Sequence, residues 1–134
     1  MILASLQGLP AFLLYFLVGV VLLIAYSLAY TRLTSHDEFA LIEGGNAAAA
    51  TAFGLSLGGF ALPLASAAAH SIGILDMIVW GVVALVVQVG LYLFARWRMP
   101  DLSDRIARGD WAAAIWLGSL SLVGGILNAV SMST

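Results

Sequence analysis

The charged side chains of this chain are confined to three places, and that confinement restricts what it can fold into. Five are arginines and seven are acidic. They occupy 32–43, Asp76 and 96–110, leaving four apolar runs at 10–30, 47–69, 77–95 and 111–132. Each run approaches the ~20 residues that a helix needs to cross ~30 Å of hydrocarbon. Hydrophobic residues make up 63% of the chain and charged ones 9%. Soluble domains carry about 45–50% and about 25%, so twelve charges cannot cover a water-facing surface and most of it must face lipid. A soluble globule, a disordered chain and a nucleic-acid binder are excluded. Cysteine is absent, which removes disulfides, thiolate metal sites and a Cys nucleophile.

Only helices or closed barrels satisfy their own backbone in lipid. The strict alternation of barrel strands is missing, and the Ala and Leu content favours helix. The first run lacks a basic flank and exceeds a typical signal-peptide core, so it reads as a retained helix. The short 70–76 connection makes the second and third helices a tight antiparallel pair. The loops after the first and third runs hold Arg32, Arg96, Arg98, Arg105 and Arg108, and the other ends hold no Arg. Positive residues stay cytoplasmic, which places both termini and the 70–76 turn periplasmic or extracellular. The same arginines would meet anionic lipid headgroups. Tyr30, Tyr92, Trp97 and Trp111 would sit at the inner interface; Phe12, Tyr15 and Trp80 at the outer one.

The two halves resemble each other at an offset of 64. Ile42, Gly45, Asn46, Ala48, Ala49, Ala50 and Gly54 fall on Ile106, Gly109, Asp110, Ala112, Ala113, Ala114 and Gly118. Arg32 falls on Arg96 and Asp37 on Asp101. An offset spanning two helices gives both halves one orientation, a parallel repeat about the membrane normal. The expected architecture is a single all-α domain over 1–134: four transmembrane helices as two parallel-repeat hairpins, about 8–69 and about 74–132. Each cytoplasmic loop should hold a short interfacial helix, apolar side toward the acyl boundary; the alternative is a plain polar loop. Ser35 with Glu38 has the capping-box spacing, Phe39 and Ile42 share one face, and Leu102 and Ile106 another. Asn46 and Asp110 are placed to cap the helices that follow.

The chain resembles the domain-of-unknown-function 350 membrane proteins, the YjfL-like bacterial inner-membrane family. The residues that carry the resemblance are Asn46-Ala47-Ala48-Ala49, Gly58, Leu62-Pro63-Leu64, Gln88 and Gly124-Gly125-Ile126-Leu127-Asn128-Ala129. Their order covers essentially the whole chain. Asp110 departs from the Asn expected there. The resemblance implies four helices in two repeated hairpins, a bacterial inner membrane and a place in envelope stress, with no reaction established.

Small residues recur at three- or four-residue spacing: Ala50, Gly54, Gly58, Ala61 and Ala65 in the second span, and Ala114, Gly118, Ser121, Gly125 and Ala129 in the fourth. Such stripes let helix backbones approach closely, within one chain or between copies of it. Gln88 should lie about 12 Å inside the cytoplasmic edge at 1.5 Å per residue, level with Thr51, Gly54 and Gly118, as an interhelical hydrogen-bonding group. Pro63 should kink the second helix. Ser66, His70, Asp76, Asn128 and Ser131 should gather near the outer face, where a His and an Asp make a poor metal set. No Asp, Glu, His, Lys or Arg lies within the four spans, whereas ion-coupled transporters usually keep such groups there. No phosphate loop, metal spacing or catalytic triad is present.

These residues point to a non-catalytic membrane protein, homo-oligomeric through its small-residue faces, with membrane lipids as its other partner. No cofactor and no nucleic acid are implied, and no soluble partner can be named. The alternative is a small channel or passive transporter lined by Gln88, Ser56, Thr51, Ser119 or Ser121. The topology has a direct check. A periplasm-active reporter fused after Thr134 should give signal and a cytoplasm-active one should not; the reverse pattern would overturn the assignment.

Overall fold

The computed structural model describes residues 2–132, and the described residues are all-α. The elements are α1 (Ile2–Leu6), α2 (Leu9–Leu33), α3 (Glu38–Glu43), α4 (Ala47–His70), α5 (Ile74–Arg98), α6 (Leu102–Ala107) and α7 (Trp111–Met132). Four spans are long and apolar enough to cross a membrane: Ile2–Leu33, Ala47–His70, Ile74–Arg98 and Trp111–Met132. The most apolar window of α4 is 50% buried and that of the first span only 6%. That difference sets the arrangement. α4 and α7 form the centre, α5 packs against both, and α2 leans on α4 and α5 from outside.

The two central helices run parallel. Across their seam Ser66 meets Ala129, Ser56 meets Ser121 and Gly58 meets Leu122. These partners are 63 to 65 positions apart, straddling the sequence offset, as two helices related by a twofold axis must at their crossing. The repeat extends to the loops. α3 and α6 each end at a glycine in the left-handed region, Gly45 at φ +89° and Gly109 at φ +84°. In each, the glycine N–H returns to the carbonyl three residues back and the next N–H to the one five back. These bonds are Gly45 to Ile42 and Asn46 to Leu41 in the first copy, Gly109 to Ile106 and Asp110 to Arg105 in the second, at 2.8–3.0 Å. This Schellman pattern satisfies helix-end carbonyls that would otherwise be orphaned near lipid. The chain then turns directly into the next spanning helix.

Several local expectations need correction. α5 continues to Arg98 instead of stopping at Ala95. The cap of α3 is Asp37, whose side chain accepts from Ala40 N at 3.2 Å, so the Ser35–Glu38 box does not form. Its Glu38 is buried while Phe39 is exposed, because Glu38 turns inward beside His36. Leu102 and Ile106 are fully buried in the protein core instead of lying on the acyl boundary. Tyr30 and Tyr92 are likewise core residues: Tyr30 packs on Phe53 and edge-on to Tyr92, and Tyr26 stacks on Phe60. A buried ring cluster of α2, α4 and α5 replaces an interfacial belt there.

The left-handed glycines carry a prediction. Nothing obstructs a Cβ at either position, so only backbone strain opposes a side chain there. Gly45→Ala and Gly109→Ala should each lower unfolding stability by about 1–2 kcal/mol, with Asn better tolerated than Ala. Denaturant titration of both pairs in one detergent is the check.

Candidate functional site: a buried polar seam

The α4/α7 seam is built on glycine. A Cβ at Gly59 would run into the backbone and hydroxyl of Ser121, and one at Gly125 into the Gly59 carbonyl. Gly118 is covered by Leu55. Ala114, Gly118, Ser121 and Gly125 are buried there, and the Ala129 carbonyl accepts from Ser66 Oγ at 2.8 Å. On α4 the seam uses Leu55, Ser56, Gly59 and Ser66. Gly54 is not part of it: it is exposed, with nothing within 4 Å of a Cβ. Gly58 makes only an ordinary contact with Leu122. The reason is length. Leu55 reaches Gly118, but its repeat counterpart Ser119 is too short to cover Gly54.

Gln88 is fully buried where α4, α5 and α7 meet. Its Nε2 donates to the Gly59 carbonyl at 3.0 Å and to the Ser121 carbonyl at 3.1 Å, and its Oε1 accepts from Ser121 Oγ. The Gly59 carbonyl is four residues before Pro63. Proline has no N–H to return to it, so Gln88 supplies the donor that α4 lacks. The expected level of Thr51, Gly54 and Gly118 is therefore corrected to that of Gly59 and Ser121. Counted from the true end of α5 at Arg98, Gln88 lies about 15 Å deep.

Above this node the polar groups continue toward the Arg-bearing loops. The Ser56 side chain faces the Tyr26 and Tyr30 phenols, yet neither the Ser56 hydroxyl nor that of Tyr30 closes a hydrogen bond in this arrangement. Tyr92 reaches Ser103 at 3.4 Å. Next to the tyrosines lie His36 and Glu38, with Nε2 3.0 Å from Oε1 and side chains 6% and 1% exposed. Sequence reasoning did not single out this pair. Its signal was the charged, imidazole-bearing turn 36–38, which looked like a solvated loop beside a span.

At the opposite end His70 and Asp76 line one small cavity with Ser66 and Trp80, about 30 Å³ in volume. Their bonds are local: His70 Nδ1 sits 3.0 Å from the Ser66 carbonyl, and Asp76 accepts from Ile72 N at 3.0 Å. Asn128 Oδ1 is buried without a partner. Among the described residues no group of three His, Cys, Asp or Glu side chains could hold a metal ion.

On the Arg-bearing side the departure at Asp110 has a physical consequence. Asn46 Oδ1 caps α4 at Ala49 N, and its Nδ2 donates to the Ile106 and Ala107 carbonyls of the other repeat at 3.1 and 3.0 Å. A carboxylate has no such donor. Asp110 accepts from Ala112 N at 2.9 Å and from Arg105 Nε at 2.7 Å. The Arg105 hydrogen bond holds the Asp110 carboxyl below its usual range, and the same bond raises Arg105. A carboxyl shifted downward contributes stability above its unfolded value and loses it as pH falls through the folded one. Arg32, Arg96, Arg98 and Arg108 are exposed, and Arg98 lies over the Trp97 ring at 5.9 Å.

The Gln88 node predicts a coupling. Gln88→Leu should destabilise the protein by about 1–3 kcal/mol, because it strands a buried carbonyl. Pro63→Ala restores the helical donor to Gly59. The cost of Gln88→Leu should then fall by about 1 kcal/mol in the Pro63→Ala background. A double-mutant cycle in detergent reads this directly, and additive costs would refute it.

A profile of the family described as Domain of Unknown Function (DUF350) matches residues 4–132. Two curated relatives, each called UPF0719 inner membrane protein YjfL, come from Escherichia coli strain K12 and Escherichia coli O157:H7. Each is 40% identical over 128 residues, covering 96% of this chain and 97% of the relative. No solved structure shows a significant match. With its four spans and paired loop helices, this multi-pass membrane protein belongs to the DUF350 family.

Proposed function

We propose that the chain is a non-catalytic assembly protein of the bacterial inner membrane that associates with further copies of itself. The observation that carries this reading is the second small-residue stripe of α4. Ala50, Gly54 and Ala65 are exposed and Ala61 is half-buried, all outside the intramolecular seam, with Gly58 at its edge against Leu122. Apolar helices in lipid gain little hydrophobic drive from association, so close backbone packing has to supply it. An unfilled stripe of this kind is suited to that use. The whole chain acts as one domain, with repeats at about 8–69 and about 74–132.

The inner membrane is supported by the names of the two relatives. The arginine asymmetry supports termini on the outer side, and the exposed Arg32, Arg96, Arg98 and Arg108 suit anionic headgroups at the inner face. A role in envelope stress rests on the family resemblance. The transporter alternative has less support. Gln88 and Ser121 bond to each other with Ser56 alongside, Thr51 is half-buried and Ser119 faces outward, so these groups do not share one path.

Gly54→Leu separates the two stripes. It should reduce oligomers seen by cross-linking in intact membranes and by native mass spectrometry, while leaving monomer stability within about 0.5 kcal/mol. Gly59→Leu should instead disrupt the fold itself by overpacking. A single-chain mass for the wild type in both measurements would overturn the assembly reading.

A further inference from the structure

We infer that His36 and Glu38 form a proton-binding site that latches α3 against α4, beside the tyrosines at the ends of α2 and α5. Glu38 is 1% exposed and its carboxyl meets one titratable partner at contact distance, His36 Nε2. That contact does not close as a hydrogen bond, and both His36 nitrogens, both Glu38 carboxyl oxygens and the Tyr30 hydroxyl are without a hydrogen-bond partner among the described residues. The site is enclosed, polar and incompletely satisfied, on a segment short enough to move.

The charge states define what the site binds. With one proton held by the pair, imidazole and carboxyl are neutral as a unit, either as imidazolium with carboxylate or as neutral imidazole with carboxylic acid. Both forms can be buried. Release of that proton to water on the Arg-bearing side leaves a bare buried carboxylate. Burying an unpaired charge is far costlier than burying a pair, so the segment must turn outward to hydrate it.

Among the described residues Glu38 has no other ion-pair partner. α2 contributes the Tyr30 phenol, and α5 contributes that of Tyr92, both within electrostatic reach of Glu38. Arg32 in the last turn of α2 and Arg96 on α5 are exposed and hydrated. Arg96 lines a small cavity with Ser35, Ser103 and Asp104 and reaches Tyr92 electrostatically, but it forms no ion pair with Glu38. α4 contributes Phe53, which packs on Tyr30 and Phe39, and carries no Asp, Glu, Lys or Arg along its length. Asp37 is exposed and occupied as the cap of α3. α6 reaches this segment through Ser103, whose Oγ accepts from Ser35 N at 3.2 Å.

Because the chain contains no cysteine, a nitroxide can be placed on one introduced thiol. The label goes on Ala40→Cys, an exposed site on α3, with Ile72→Cys in the opposite loop as control, in lipid nanodiscs across pH 5 to 9. The mobile-to-immobile ratio at residue 40 should rise with pH, by about tenfold per pH unit through the transition for one proton. Glu38→Gln should stay immobile throughout, since its amide is neutral at every pH. His36→Gln should move the transition to lower pH, because only the protonated carboxyl could then stay buried. A wild-type label indifferent to pH would overturn the site, as would an unchanged transition in Glu38→Gln. If Glu38→Gln does not fold, an unshifted transition in His36→Gln does so. A matching change at residue 72 would mean global unfolding and would equally overturn a local latch.

Discussion

The carbonyl of Gly59 is the point on which the rest of the packing depends. Lipid offers no water to a backbone oxygen, so each one within the bilayer must find a donor in the protein. Pro63 removes the donor that α4 would ordinarily provide. Gln88 replaces it from α5, and the same amide ties the Ser121 carbonyl and hydroxyl of α7. One side chain thereby fixes the relative depth of three helices. The absence of side chains at Gly59 and Gly125 then lets the central pair close to backbone contact. Sequence-local chemistry, a proline in a helix, is converted into a tertiary constraint.

The repeat shows how far symmetry goes before function or assembly alters it. Its turns are alike to within a few degrees and tenths of an ångström. Its interior is not. The position equivalent to Gln88 is Ile24, which is exposed, and the one equivalent to Pro63 is Leu127. The first hairpin therefore lacks the pin that holds the second, and α2 is the least buried span. Between α2, α4 and Met77 it leaves an apolar cavity of about 490 Å³. The Asn46 and Asp110 pair follows the same pattern: one reaches across to the other repeat, and one is satisfied within its own.

Hydropathy and charge spacing made the spans, their loops and the repeat readable, because these depend on periodic local properties. The cap residues Asn46 and Asp110 were readable for the same reason. The side of α4 that faces α7 was not. Gly54-x-x-x-Gly58 has the spacing of a close-packed stripe, and what displaced it was the length of Leu55 against that of Ser119, a comparison that matters only once the helices are set side by side. Gln88 was recognisable as an interhelical group, but its tie to Pro63 required knowing that residues 29 apart lie at one depth. His36 and Glu38 were hidden by the rule that charges near a span belong to water.

The central seam also bears on the order in which the protein can become itself. Its two faces come from the second and the last long helices, and a ribosome delivers them far apart in time. When α5 has entered the bilayer, Gln88 already has the Gly59 carbonyl to bond, but Ser121 has not yet been made. Until α7 arrives, Ser56 and the glycine face of α4 stand open to lipid or to a neighbouring chain. The nascent protein thus passes through a three-helix stage whose exposed face is the mould for its own final helix. A chain stalled at that stage presents membrane quality control with a surface that the finished molecule never shows.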